Sequence, residues 1–109
     1  MKKILKFEIE LDENHLPLNI EMDASDGVVE DKSIKALMLS AWDSKSMETL
    51  RIDLWTKDMP VNEMFIMYYQ TMKGMASTLE RATGHEKLAG ALLDYCHFFA
   101  EQTKIKGVK

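Results

Sequence analysis

The sequence predicts an α+β fold: a four-stranded antiparallel sheet made of two β-hairpins, followed by a C-terminal pair of α-helices. Three observations carry this. Apolar residues recur at every second position through four segments of the first half, the period of half-buried strands. They recur at steps of three and four through two segments of the second half, the period of amphipathic helices. Between the halves, Leu50-Arg51-Ile52-Asp53-Leu54-Trp55 runs through Lys57-Asp58-Met59-Pro60 directly into the longest helical pattern. With 109 residues, the whole chain (1–109) is expected to form one domain, long enough for a single core but short for two.

In the first strand Leu5, Phe7, Ile9 and Leu11 alternate with Lys6, Glu8, Glu10 and Asp12. In the second, Leu16, Leu18, Ile20 and Met22 alternate with Pro17, Asn19, Glu21 and Asp23. Pairing Leu11 with Leu16, Ile9 with Leu18, Phe7 with Ile20 and Leu5 with Met22 places every apolar side chain on one face and leaves Asp12-Glu13-Asn14-His15 as the turn. Pro17 cannot donate to a ladder, so the second strand lies at an edge there or begins after it. Ser25 to Ser33, with Asp26-Gly27 and Glu30-Asp31, breaks the alternation and is expected to be a mobile connection.

Alternation returns from Ile34 to Trp42, and Asp43 to Glu48 turns the chain into the fourth strand. Pairing Ala41 with Leu50, Leu39 with Ile52 and Leu37 with Leu54 gives an aliphatic face expected to be core. The same register sets Ile34, Ala36, Met38, Ser40 and Trp42 against Lys57, Trp55, Asp53, Arg51 and Thr49 on the other face. That face is too apolar for ordinary solvent exposure and too charged for an ordinary core. Ile34, Met38, Trp42, Arg51, Asp53 and Trp55 are therefore the candidate partner-binding residues. Arg51 and Asp53 could also clamp a ligand, but charges two apart on a wet strand face are commonplace.

Asp58 and Pro60 are expected to cap and start the first helix. Its stripe is Val61, Met64, Phe65, Tyr68, Met72, Met75, Ala76 and Leu79 over about 22 residues, or ~33 Å. Thr83 and Glu86 have the spacing of a capping box, opening a second helix with the stripe Leu88, Leu92, Tyr95, Cys96 and Phe99. The lysines of Lys104 to Lys109 suit the negative end of that helix dipole.

Composition narrows the function classes. A net charge of −4 without a Lys/Arg cluster argues against a nucleic-acid partner, since phosphate binding requires a basic surface. Met1 to Lys6 has a basic start, but Phe7 to Asp12 carries a charge at every second position, so no secretory apolar core follows. No apolar run approaches the ~20 residues of a transmembrane helix. A cytoplasmic location without direct membrane insertion is the expectation. Cys96 is the sole cysteine and cannot form an intrachain disulfide; on an apolar stripe it is expected to be a buried thiol.

No catalytic, cofactor-binding or metal site is expected. His97 and Glu101 are four apart beside Cys96, but a tight zinc site needs further placed ligands. His15 falls in a turn and His85 in a capping segment, without a visible base or nucleophile partner. There is no Gly-rich phosphate loop, nucleophile elbow or redox cysteine pair. An enzyme would need a deep pocket in which His97, Glu101 or the Arg51/Asp53 pair converge. Met59, Met64, Met67, Met72 and Met75 are core filler or an adaptable binding surface.

Leu50 to Met59, followed by Val61, Glu63-Met64, Glu80-Arg81-Ala82-Thr83-Gly84 and Glu86-Lys87, resembles the gliding-motility-associated GldC family of Bacteroidetes. Phe7 to Asn14, Asp94-Tyr95-Cys96 and Phe99-Ala100-Glu101 extend the resemblance over nearly the whole chain. It implies an accessory protein of gliding motility and its envelope machinery, without catalytic residues, whose partners are gliding or secretion proteins. In layout alone the predicted elements are similar to the SecB export chaperone, which implies a holdase as the alternative function. A homo-oligomer is expected on either view, because a short chain gains stability by association.

Overall fold

The computed structural model describes residues 1–26 and 32–105. The connection expected across Ser25 to Ser33 and the lysine-rich tail fall partly outside them. The α+β order of the sequence is present, in two compact units, Met1–Met59 and Pro60–Lys109. The first holds β1 (Leu5–Leu11), β2 (Pro17–Ala24), β3 (Lys32–Ile34), β4 (Ala36–Asp43) and β5 (Glu48–Trp55). The second holds α1 (Val61–Thr83) and α2 (Glu86–Thr103).

Among the described residues the expected single four-stranded sheet is instead two sheets, one ordered β1-β2-β3 and the other a β4-β5 hairpin. The segment Ile34 to Trp42 is not one strand: it bends at Lys35, and Ile34 pairs with Ile20 rather than opposite Lys57. The change of partner falls between Lys35, which Thr56 holds in the β4–β5 register, and Ile34, which pairs with β2. The Thr56 N–H and hydroxyl both donate to the Lys35 carbonyl, at 2.7 and 3.2 Å, and the hydroxyl also meets Asp58 Oδ1 at 2.5 Å. Thr56 is only 2% exposed, and burial of its hydroxyl is tolerated because these bonds satisfy it.

All β1–β2 ladder pairs run antiparallel, with Leu5 opposite Ala24, Phe7 opposite Met22 and Ile9 opposite Ile20. Relative to the expected pairing this register is displaced by two residues. The even shift keeps Leu5, Phe7 and Ile9 on the apolar face. It arises at the turn: the Asp12 carboxylate accepts from the N–H groups of Asn14 and Leu16, His15 takes a left-handed φ of 62°, and the ladder is irregular between Glu10 and Leu11. Pro17 is the first residue of β2, where its missing donor is tolerated. Ile20 and Ala24 are buried.

The β4–β5 register matches the expected one at every pair from Ala36/Trp55 to Trp42/Thr49, and Asp43/Glu48, expected in the turn, extends it. Its turn follows the logic of the first, with Asp43 accepting from Lys45 N–H and Ser46 hydroxyl, and Met47 at φ 58°.

α1 has 23 residues, about 34 Å at 1.5 Å per residue. Pro60, not Asp58, is its N-cap, with no side-chain cap, because the Asp58 carboxylate is engaged by Thr56. Gly84 ends α1 at φ 71°, donating to the Glu80 carbonyl, the left-handed stop that glycine favours. The expected Thr83 capping box does not form. Thr83 donates back to Leu79, and His85 Nδ1 instead accepts from Leu88 N–H at 3.2 Å to cap α2. The two helices pack as an antiparallel hairpin, with Phe65 of α1 edge-on to Phe99 of α2 at 6.0 Å. Tyr69 and Ala76, then Ala89 and Cys96, are buried at seven-residue spacing, the seam of a coiled-coil-like contact in which small side chains allow close approach.

Candidate partner interface

The β4–β5 hairpin is apolar on both faces and exposed on both. Along one face the register sets Ala36 against Trp55, Met38 against Asp53, Ser40 against Arg51 and Trp42 against Thr49. Trp42 and Trp55 are 61% and 56% exposed. Trp42 lies six β4 residues from Ala36, the residue opposite Trp55, so the two tryptophans are attached about 20 Å apart along the strand direction, at the two ends of the face. Between them Arg51 makes a forked contact with Asp53, Nη2 to Oδ1 at 2.6 Å and Nε to Oδ2 at 3.3 Å, while Nη1 reaches Ser40 Oγ at 2.5 Å. This planar geometry orients the guanidinium.

Five of the six candidate residues, Met38, Trp42, Arg51, Asp53 and Trp55, share this face. Ile34 does not: it belongs to β3 in the other sheet. The opposite face, expected to be core, corrects a second expectation, since Leu50 is 56% and Ile52 50% exposed, with only Leu37 and Leu54 half-buried. A two-stranded sheet has no third strand to widen it, so alternation alone cannot bury its aliphatic side.

Beside Trp55 an open cleft of about 200 Å³ lies between Leu16 and Pro17 and the β5 end from Asp53 to Lys57. Lys57 N–H donates to the Pro17 carbonyl at 3.3 Å, and the Lys57 ammonium pairs with Asp12. That ammonium, with the N–H groups of Leu16 and Asn14, holds the Asp12 carboxyl below the usual carboxylate range. Asp58 is lowered by the Thr56 hydroxyl. The charged groups around the cleft thus fix the turn.

In the helical hairpin, Tyr95 contacts Phe98 at 5.9 Å and Phe99 at 6.4 Å, and Tyr68 reaches Phe99 at 6.5 Å. Tyr68, Tyr95 and Phe98 are exposed, as is Met75. Phe98 lay outside the apolar stripe read from the sequence; its adjacency to Phe99 was the available signal. Among the other α1 methionines, Met64, Met67 and Met72 are half-buried, as is Met59 ahead of the helix.

Cys96 is fully buried, and burial pushes its thiol up from the ordinary value while Lys73 opposes the shift. His97 and Glu101 are exposed, so α2 puts the thiol and the other two candidate ligands on different sides. His85 serves as a helix cap and His15 as a turn residue. Among the described residues no group of three or more His, Cys, Asp or Glu is placed to hold a metal ion, and no helix is long and apolar enough to cross a membrane.

Fold and surface together define a small α+β protein that presents an exposed two-sided hairpin and a helical pair. The chain belongs to the GldC-like family: the model described as gliding motility-associated protein GldC-like matches residues 17–105. The match spans β2 to α2, so it includes the whole candidate interface. No curated protein and no solved structure matches the chain. The SecB-like layout therefore rests on the order of elements alone.

Proposed function

We propose that this gliding-motility-associated protein is a non-enzymatic, cytoplasmic adaptor that self-associates and holds a protein of the gliding or secretion machinery on the β4–β5 hairpin. The observation that supports this reading is the exposure of Trp42 and Trp55 at opposite ends of one face, with the Arg51–Asp53 pair between them. Aromatic residues and arginine are the side chains that most often dominate binding energy at interfaces, and contiguous exposed apolar surface marks contact sites. Nothing in this role requires a cofactor, a metal or nucleic acid.

The test is a gliding host in which the chromosomal copy carries Trp42→Ser and Trp55→Ser. The expected result is loss of colony spreading at unchanged protein level, with a melting temperature within a few degrees of the parent. Normal spreading by that strain would sink the proposal for this face.

A second reading, a holdase for exported chains, draws on exposed Met75, Tyr68, Tyr95 and Phe98 of the helical hairpin, since methionine-rich surfaces adapt to varied partners. It predicts that the purified protein suppresses aggregation of a reduced, unfolding client near one-to-one stoichiometry, and that Met75→Lys with Phe98→Lys abolishes this. Suppression that survives the double substitution would remove the helical surface from consideration.

A further inference from the structure

β5 has a property that face exposure does not capture: its sequence is self-complementary about Ile52. Reading outward from that residue, Arg51 is balanced by Asp53, Leu50 by Leu54 and Thr49 by Trp55. A strand with this pattern pairs antiparallel with a copy of itself so that each arginine meets an aspartate and each leucine a leucine.

We infer that two copies of this chain join through the outer edge of β5, antiparallel and centred on Ile52, to make one four-stranded intermolecular sheet. This deepens the self-association part of the proposed function and rests on it.

The edge is available. Among the described residues β5 is paired with β4 on one side and with no strand on the other. Thr56 N–H points towards β4's side, where it meets Lys35, whereas Lys57 N–H points the other way, to Pro17. Because amides alternate along an antiparallel strand, those of Thr49, Arg51, Asp53 and Trp55 turn to the outer edge. Pro17 meets that edge at Lys57, and among the described residues no strand pairs with the segment Thr49 to Trp55, whose midpoint is Ile52. Arg51 of one copy and Asp53 of the other then form a hydrogen-bonded pair, and the two Ile52 residues form the closely spaced non-hydrogen-bonded pair on the two-fold axis.

Charge selects this register. A shift of two residues in either direction puts Arg51 opposite Arg51 or Asp53 opposite Asp53, which is destabilising, and a shift of one puts charges on the aliphatic face. In the self-complementary register the contact within each strand, Arg51 Nη2 to Asp53 Oδ1 at 2.6 Å, becomes half of a ring of two arginines and two aspartates in alternation. The aliphatic face doubles, joining Leu50, Ile52 and Leu54 of both copies, where one hairpin leaves Leu50 and Ile52 half exposed. The edge of β4 lacks this complementarity: centred on Leu39 it sets Met38 against Ser40 and Ala36 against Trp42.

The test uses full-length protein. Non-hydrogen-bonded cross-strand Cα atoms lie about 4.5 Å apart, inside the range a disulfide spans. Mild oxidation of Ile52→Cys should therefore give a cross-linked dimer. Leu50→Cys and Leu54→Cys should each fail alone and cross-link when mixed, and the parent, whose Cys96 is buried, should not cross-link. Arg51→Asp and Asp53→Arg should each weaken the dimer at least about tenfold, while an equimolar mixture of the two should recover a heterodimer by light scattering. The mixture restores only contacts between copies, because neither variant has an ion pair within its own strand. A parent dimer that fails to cross-link at position 52, or variants that do not recombine, would overturn this edge and register while leaving self-association by another surface. A parent that stays monomeric up to millimolar concentration would overturn both.

Discussion

The two hairpins of the first unit are built alike and end differently. Each turn is organised by an aspartate that accepts hydrogen bonds from the residues following it, Asp12 in one and Asp43 in the other, and each contains a non-glycine residue in the left-handed region, His15 or Met47. Each strand pair alternates apolar with polar side chains. In β1–β2 the second face carries Lys6, Glu8, Glu10, Asn19, Glu21 and Asp23, β3 adds a third strand, and Ile20 and Ala24 are buried. In β4–β5 the second face carries two tryptophans, no third strand joins among the described residues, and no residue of either strand is fully buried. The lesson is that a pattern able to build a core does not by itself complete one. The first hairpin buries Ile20 and Ala24 while Leu5, Ile9, Leu11 and Leu18 stay exposed, and the second buries none of its apolar residues fully and keeps a surface that a partner or a second copy can use.

The sharpest way to break this contrast is to truncate matched isoleucines. Ile20→Ala should lower stability by about 2–4 kcal/mol, the range for emptying a buried aliphatic site. Ile52→Ala, measured in dilute protein, should change it by less than about 1 kcal/mol, because half of that side chain is already in water. Equal losses in urea titrations would show that the hairpins are buried alike.

Thr56→Val sharpens the comparison at the residue that separates the two sheets. It removes the hydroxyl shared by the Lys35 carbonyl and Asp58 and should cost about 1–3 kcal/mol. Unchanged stability would mean that the Thr56 hydroxyl adds nothing to the N–H bond it accompanies.

The two turns can be compared by acid titration. Asp12 is lowered by the Lys57 ammonium and then by backbone N–H groups, Asp43 by Lys45 N–H and the Ser46 hydroxyl. A carboxyl whose folded value lies below its unfolded one contributes stability above the unfolded value, near pH 4, and loses it as pH falls through the folded value. Asp12→Asn should therefore flatten the loss of stability below about pH 4, more than Asp43→Asn does, since only Asp12 has a cationic partner among its causes. Identical acid limbs in parent and both variants would refute the assignment.

The smallest effect is expected from Arg51→Ala, which should change monomer stability by no more than about 0.5 kcal/mol because its ion pair is exposed. A larger loss would mean that the charged centre of the face maintains the hairpin rather than serving recognition.

Much of this architecture was legible from residue spacing. Period-two alternation located β1, β2, β4 and β5, and the β4–β5 register followed from matching Leu37, Leu39 and Ala41 to Leu54, Ile52 and Leu50, because a slip of one exchanges the faces. The stripe from Val61 to Leu79 located α1. Family membership was also carried by the sequence, through the run from Leu50 to Met59. Five of the six candidate interface residues could be placed on one face by period alone.

Tertiary contacts decided the rest. The alternation runs unbroken through Lys35, so only the pairing of Ile34 with Ile20 and of Ala36 with Trp55 reveals that β3 and β4 belong to different sheets and that Ile34 leaves the candidate face. The two-residue displacement of β1 against β2 keeps the same faces and is invisible to periodicity; it was set by the carboxylate of Asp12. His85 displaced Thr83 as the cap of α2 because Thr83 is still the last residue of α1, its hydroxyl donating to Leu79 and accepting from His85 N–H. Above all, the sequence could say that Leu50 and Ile52 share a face but not whether anything covers it. Pattern is a local property of one strand, whereas burial depends on what lies against it in space.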